Sequence, residues 1–202
     1  MPVNSLKHSQ WTPLYWAISR NQQAVCELLL DWPGCDPTAR ADAEKNTALH
    51  WAAQEGNLAA LQAILQRFPR INLEMTGHMR STPLLLAASY GKAEVTRELL
   101  KKGANVTARD SMGKTPALGA ATSGNVETIK VFPRLRILHD RMLAPPAVAP
   151  YSMLHMAAKE GKLEACKAIL AIAPELQRWR ILGKTPKMVA TESGHALVAA
   201  VL

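Results

Sequence analysis

Cysteine is scarce, with three among 202 residues. The set (Cys26, Cys35, Cys166) is too small for a disulfide framework and argues for free thiols. Aromatic residues make up only 5% of the chain. The basic residues therefore lack the interleaved rings of a single-strand nucleic-acid binder, which argues against that function. No apolar run approaches the length that spans a bilayer, and Met1 to Gln10 lacks a signal-peptide core, so no membrane role is expected. Motifs of chemistry are missing too. No Cys/His spacing suits zinc, no Gly-rich loop follows a strand to cradle phosphate, and neither G-x-S-x-G nor H-E-x-x-H occurs. No cofactor or metal is expected.

What the chain does contain is one segment repeated from end to end. Thr47-Ala48-Leu49-His50-Trp51-Ala52 recurs in variants opening at Thr12, Thr82, Thr115, Ser152 and Thr185, at steps of 35, 35, 33, 37 and 33 residues. Each opening reads as a helix start. The hydroxyl is an N-cap, and Pro, where present, takes the first helical position at no cost in hydrogen bonds. Five residues on stands Ala in all six copies (Ala17, Ala52, Ala87, Ala120, Ala157, Ala190), small enough for first helices to pack side by side. Nine residues on stands Asn21 or a glycine (Gly56, Gly91, Gly124, Gly161, Gly194), as a reversal with positive φ requires. A second apolar-periodic segment then closes on pairs such as Leu29-Leu30 and Ile64-Leu65. One helix pair cannot bury its apolar face alone, so neighbours must stack.

A period near 33 residues carrying T-P-L-H-x-A resembles the ankyrin-repeat family. The resemblance covers nearly the whole chain. It implies an all-α ankyrin solenoid of six helix-turn-helix repeats (about 11–40, 41–75, 76–109, 110–150, 151–180 and 181–202), with the first and last as caps. It further implies that His50 and His155 are structural, hydrogen-bonded to neighbouring turn backbone. Cys26 and Cys166 share one repeat position on second helices, which reads as packed thiols in the cytoplasm or nucleus.

Repeat four departs from the pattern. Phe132-Pro133 replaces the Leu-Leu pair, so its second helix should end or kink near Phe132. The apolar spacing at 135, 138 and 142 suits a further helical turn or two, and 144–150 is a stiff Pro-rich stretch. This insertion reads either as a widened turn lining the groove or as a tolerated loop. Gly119 stands where other repeats carry Trp16, Trp51, Leu86, Met156 and Val189, and its missing side chain suggests a hollow rimmed by Tyr90 and Tyr151.

The net charge of +8 falls in the second half, since residues 1–100 hold nine basic and nine acidic groups, against fifteen and seven in 101–202. That asymmetry suits an acidic partner, although a merely solvated surface explains it as well. The resemblance favours a non-enzymatic protein-interaction module binding through its concave face and turn tips. Its contact residues would be Trp11, Trp51, Gln54, Glu55, His78, Met79, Tyr90, Met112, Lys114 and Tyr151, with Asn46, Ser81, Ser89, Ser111, Lys159 and Glu160 nearby on the same face. The alternative is an enzyme or small-molecule binder using the Gly119 hollow for cyclisation or isomerisation, with Glu55, Tyr90 and His78 as acid–base candidates.

Overall fold

The computed structural model describes residues 11–40, 45–132 and 152–202. Among them run twelve α-helices in pairs: α1 (Pro13–Ser19) with α2 (Gln23–Leu30), α3 (Ala48–Glu55) with α4 (Leu58–Arg67), α5 (Pro83–Ser89) with α6 (Ala93–Lys101), α7 (Pro116–Ser123) with α8 (Val126–Val131), α9 (Met153–Lys159) with α10 (Leu163–Ile172), and α11 (Pro186–Glu192) with α12 (Ala196–Val201). The expected all-helical repeat architecture is therefore present. The only strand-like pairing among these residues is one isolated bridge between Ile181 and Lys184.

The opening hydroxyls act as the spacing predicts. Thr12, Thr82, Thr115, Ser152 and Thr185 each accept a hydrogen bond from the backbone N–H three residues on, at 3.2–3.3 Å. Such a cap is worth about 1 kcal/mol. All six reversal positions adopt positive φ, from +52° at Asn21 to +79° at Gly194. The six in-register alanines are buried to within 2% of full exclusion. The second helix of repeat four ends at Val131, with Phe132 as its buried C-cap, as Pro133 requires. The insertion at 133–150 and Tyr151 lie outside the described residues.

The chain forms two compact units, Met1–Ala87 with Glu94–Ser111, and Ala88–Ala93 with Met112–Leu202. In the first, α1 packs on α2 and α3, and α2 and α3 pack on α4. Leu49, Leu61, Ile64, Leu84 and Leu99 form a core with almost no exposure. Burial of each such side chain contributes about 1.5–3 kcal/mol. Asn57 links the first two repeats: its Oδ1 caps α4 at Ala60 N (2.9 Å), while its Nδ2 donates to the Ile18 carbonyl (3.2 Å).

In the second unit α7 packs on α9 and α9 on α11, while α8 packs on α10 and α10 on α12. Buried Leu154, Ile129 and Ile169 occupy the repeat positions of Leu49, Leu61 and Ile64 in the first unit, and Leu118 and Met153 are buried one position to either side of the Leu49 position.

Candidate partner-binding surfaces

In the first unit the aromatics of repeats one and two form a single cluster. Trp11 and Tyr15 stack with centroids 4.0 Å apart, and both meet Trp51 edge-on, at 5.3 and 4.7 Å. Edge-to-face packing of this kind adds about 0.5–1.5 kcal/mol beyond burial. Trp51 is only 7% exposed, so the expectation that its edge projects into a groove is corrected. Two rings from the preceding repeat cover it, and its Nε1 is buried without a hydrogen-bond acceptor. Trp11 stays half-buried. Trp16 is exposed, with the Arg20 guanidinium over its ring at 5.6 Å.

The turn before repeat three is built from within. Gly77 N–H donates to the Ser81 carbonyl (2.9 Å), Ser81 N–H donates to the His78 carbonyl (2.8 Å), and Asn46 Oδ1 accepts from His78 N–H (3.2 Å). Asn46 and Ser81 are therefore buried scaffold and not contact residues, which corrects their sequence assignment. At the tip, Met79 and Arg80 both adopt left-handed backbone, with φ +49° and +59°. Ser111 N–H holds the Met79 carbonyl from the next turn at 2.7 Å. His78, Met79 and Arg80 are all exposed. The unusual backbone of Arg80 had no sequence signal, because neither Met nor Arg favours that region.

Gln54 is half-buried and Glu55 exposed at the end of α3. In the second unit, Tyr90 and Met112 are exposed, and Lys114 is half-buried. Glu55 and His78 thus belong to one unit and Tyr90 to the other, and all three side chains stand in solvent. The expected hollow at Gly119 is absent. A β-carbon there would stand 2.5 Å from Ser89 Oγ and 3.2 Å from Ser89 N. The missing side chain lets two helices approach closely instead of leaving space between them.

Comparison with known proteins agrees with this construction. The family profile described as ankyrin repeats (3 copies) matches residues 2–76 and 49–133. The chain belongs to the ankyrin-repeat family. Among curated ankyrin-containing relatives, a transient receptor potential cation channel subfamily A member 1 homolog from Caenorhabditis elegans is 30% identical over 98% of this chain and 16% of its own length. The human subfamily A member 1 channel is 29% identical over 79% of this chain and 14% of its own. Mouse NF-kappa-B inhibitor alpha is 34% identical over 54% of this chain and 35% of its own. The chain spans about a seventh of the length of the channel relatives.

The ankyrin histidines are bound into the scaffold. His50 Nδ1 accepts from Thr47 N–H (3.2 Å) and pairs with Thr47 Oγ1 (2.8 Å), which leaves Nε2–H to donate to the Ser81 carbonyl (3.1 Å). His155 repeats the arrangement with Ser152 Oγ (2.7 Å) and the Lys184 carbonyl (3.1 Å). A carbonyl only accepts, so both rings are the Nε2–H tautomer. Burial holds the His155 pKa below its ordinary value, partly offset by the Lys184 hydrogen bond. Burial also pushes the Cys26 and Cys166 thiols up to about 11. Among the described residues no group of three or more His, Cys, Asp or Glu is placed to hold a metal. No helix among them is long and apolar enough to cross a membrane.

Proposed function

We propose that this ankyrin chain is a protein-interaction module that contacts its partner through its turn tips and exposed reversal residues. The observation that carries the reading is the Met79–Arg80 tip. Two consecutive non-glycine residues in the left-handed region cost of order 1–3 kcal/mol each and persist only where the surroundings enforce them. Here the Gly77–Ser81 and Ser111–Met79 hydrogen bonds do so. The result is a pre-organised projection carrying an adaptable thioether between a histidine and a guanidinium, which reduces the ordering cost of association. Half-buried Trp11 in the same unit, and exposed Tyr90 and Met112 with half-buried Lys114 in the other, supply further contact groups. An acidic, partly apolar protein segment suits His78 and Arg80 at this exposed tip.

A protein partner is also in keeping with NF-kappa-B inhibitor alpha, whose name describes action on another protein. Three free cysteines, two of them fully buried, favour the cytoplasm or nucleus as its setting. With Ser89 filling the Gly119 position, no observation favours the small-molecule or cyclisation reading.

The test is selection of peptide ligands from a displayed library on the wild-type chain, followed by affinity measurement on a folded Met79→Ala/Arg80→Glu variant. Loss of roughly tenfold or more in affinity, the scale of one lost hot-spot contact, is expected. Equal binding by the folded variant rejects the turn-tip surface.

A further inference from the structure

Within the first unit, the loops that follow the second helices repeat one small motif. Asp36, Asn72 and Asn105 each use Oδ1 to accept the backbone N–H two residues on, from Thr38 (2.8 Å), Glu74 (2.9 Å) and Thr107 (2.9 Å). The three loops therefore share one register. Between the loops of repeats two and three stands a carboxylate bridge, in which Glu74 Oε1 accepts from Asn105 N–H at 2.7 Å.

The loops of repeats one and two lack that bridge. The position of Glu74 is held by Thr38, whose short side chain turns back to donate to Asp36 Oδ1 at 2.6 Å. Asn72 N–H, the counterpart of Asn105 N–H, has no acceptor among the described residues. In place of the bridge lies an open groove of about 470 Å³, with Cys35, Pro37 and Thr38 from one loop and Phe68, Pro69 and Ile71 from the other. It is bounded by two repeats of one unit, and its walls are mostly apolar. Arg70 also lines it, exposed and without an ion pair or hydrogen bond among the described residues. The nearby Arg67, by contrast, is held by Asp31.

We propose that this groove docks a protein segment carrying one acidic side chain between apolar neighbours. The carboxylate takes the place that Glu74 fills one repeat on, accepting from Asn72 N–H and from the Arg70 guanidinium. The apolar neighbours pack on Phe68, Pro69 and Ile71. A carboxylate suits this pair of donors because it accepts from both at once, and a bond from a guanidinium to it is charge-assisted. A neutral apolar segment would instead cover Asn72 N–H and leave it unpaired, at a cost. Asp36 also lines the groove and repels a second carboxylate, so the segment is acidic at one residue and not along its length. The groove uses no residue of the turn-tip surface, so either site can fail while the other stands.

The probe is a terminally blocked peptide with one glutamate between leucines, titrated to millimolar concentration into the isotope-labelled full chain. Backbone amide resonances follow the titration. The Asn72 amide should shift saturably, and alkylation of Cys35 should slow as the groove fills. Replacing the peptide's glutamate by glutamine should weaken binding at least about tenfold, and so should Arg70→Gln, the scale of one charge-assisted hydrogen bond. Arg70 is exposed, so this variant alters the site without disturbing the core. Thr38→Glu supplies the missing carboxylate from the chain itself. It should shift the Asn72 amide without peptide and weaken peptide binding by a similar factor. An Asn72 amide that stays unmoved overturns the proposal, even where the peptide binds elsewhere on the chain. Equal binding of the glutamine peptide, or undiminished binding by Arg70→Gln, overturns it as well.

Discussion

Asn46 Oδ1 stands 2.0 Å from the point where a β-carbon on Gly77 would lie, and the His50 ring edge stands 3.1 Å from the same point. The turn that carries Met79 and Arg80 is closed by this approach, since only glycine leaves room for the carboxamide that accepts His78 N–H. Gly77→Ala should therefore lower stability by about 2 kcal/mol, the scale of an overpacked buried site. Asn46→Ala removes the obstructing group, so Gly77→Ala should cost markedly less in that background. Urea midpoints of the four proteins of the double-mutant cycle check this, and additive effects would contradict the contact.

Acid should weaken the second unit through His155. Its folded pKa lies below the ordinary value because burial disfavours the imidazolium. Between that depressed value and about 6.5 the unfolded state binds more protons than the folded one, so stability falls as pH falls through this window. Below the folded value this contribution falls no further. Urea midpoints at pH 7 and pH 5 measure the slope, and His155→Asn should flatten it.

The close approach at Gly119 predicts an ordered series. Gly119→Ala gains up to about 1 kcal/mol in helix propensity but must displace the rotatable Ser89 hydroxyl, so its net effect should be small. Gly119→Leu must displace the Ser89 backbone and should destabilise by about 1–3 kcal/mol. Thermal melts order the three proteins, and a neutral leucine would restore the case for a hollow.

The three thiols should separate by accessibility. Cys26 and Cys166 are fully buried and held protonated, with pKa about 11. Cys35 is half-buried beside an open groove of about 470 Å³ lined by Pro37, Phe68 and Ile71, and burial together with Asp36 raises its pKa as well. Alkylation followed by mass spectrometry at pH 8 should label Cys35 first. The other two should react more slowly, and only as the chain opens, because both are fully buried and held protonated, and the thiolate is the reactive form. Equal rates at all three would contradict the burial.

The repeat grammar was readable from the chain because each rule is local. An opening hydroxyl, an alanine five residues on and a reversal residue nine on act within one helix pair, and backbone sterics enforce them wherever they occur. The end of α8 before Pro133 was legible for the same reason, whereas the structural histidines were legible only through the family resemblance, since their carbonyl partners lie 31 and 29 residues on. The site residues were less so. Trp51, Asn46 and Ser81 occupy positions that family resemblance assigns to an accessible face, yet all are buried by partners 31–40 residues away in sequence. Trp11 and Tyr15 cover the first, the turn at 77–81 covers Asn46, and the His50 ring holds the Ser81 carbonyl.

Sequence by itself determined the ankyrin repeat, its period and its helix boundaries, since these follow from hydrogen bonding and φ preferences over a few residues. Only tertiary structure decided whether an absent side chain leaves space or closes it, as Ser89 does at Gly119. It likewise decided which aromatics face water and which turn tip is held in left-handed backbone. Those outcomes depend on the distance between neighbouring repeats, which is set by packing summed over both and is written in neither one alone.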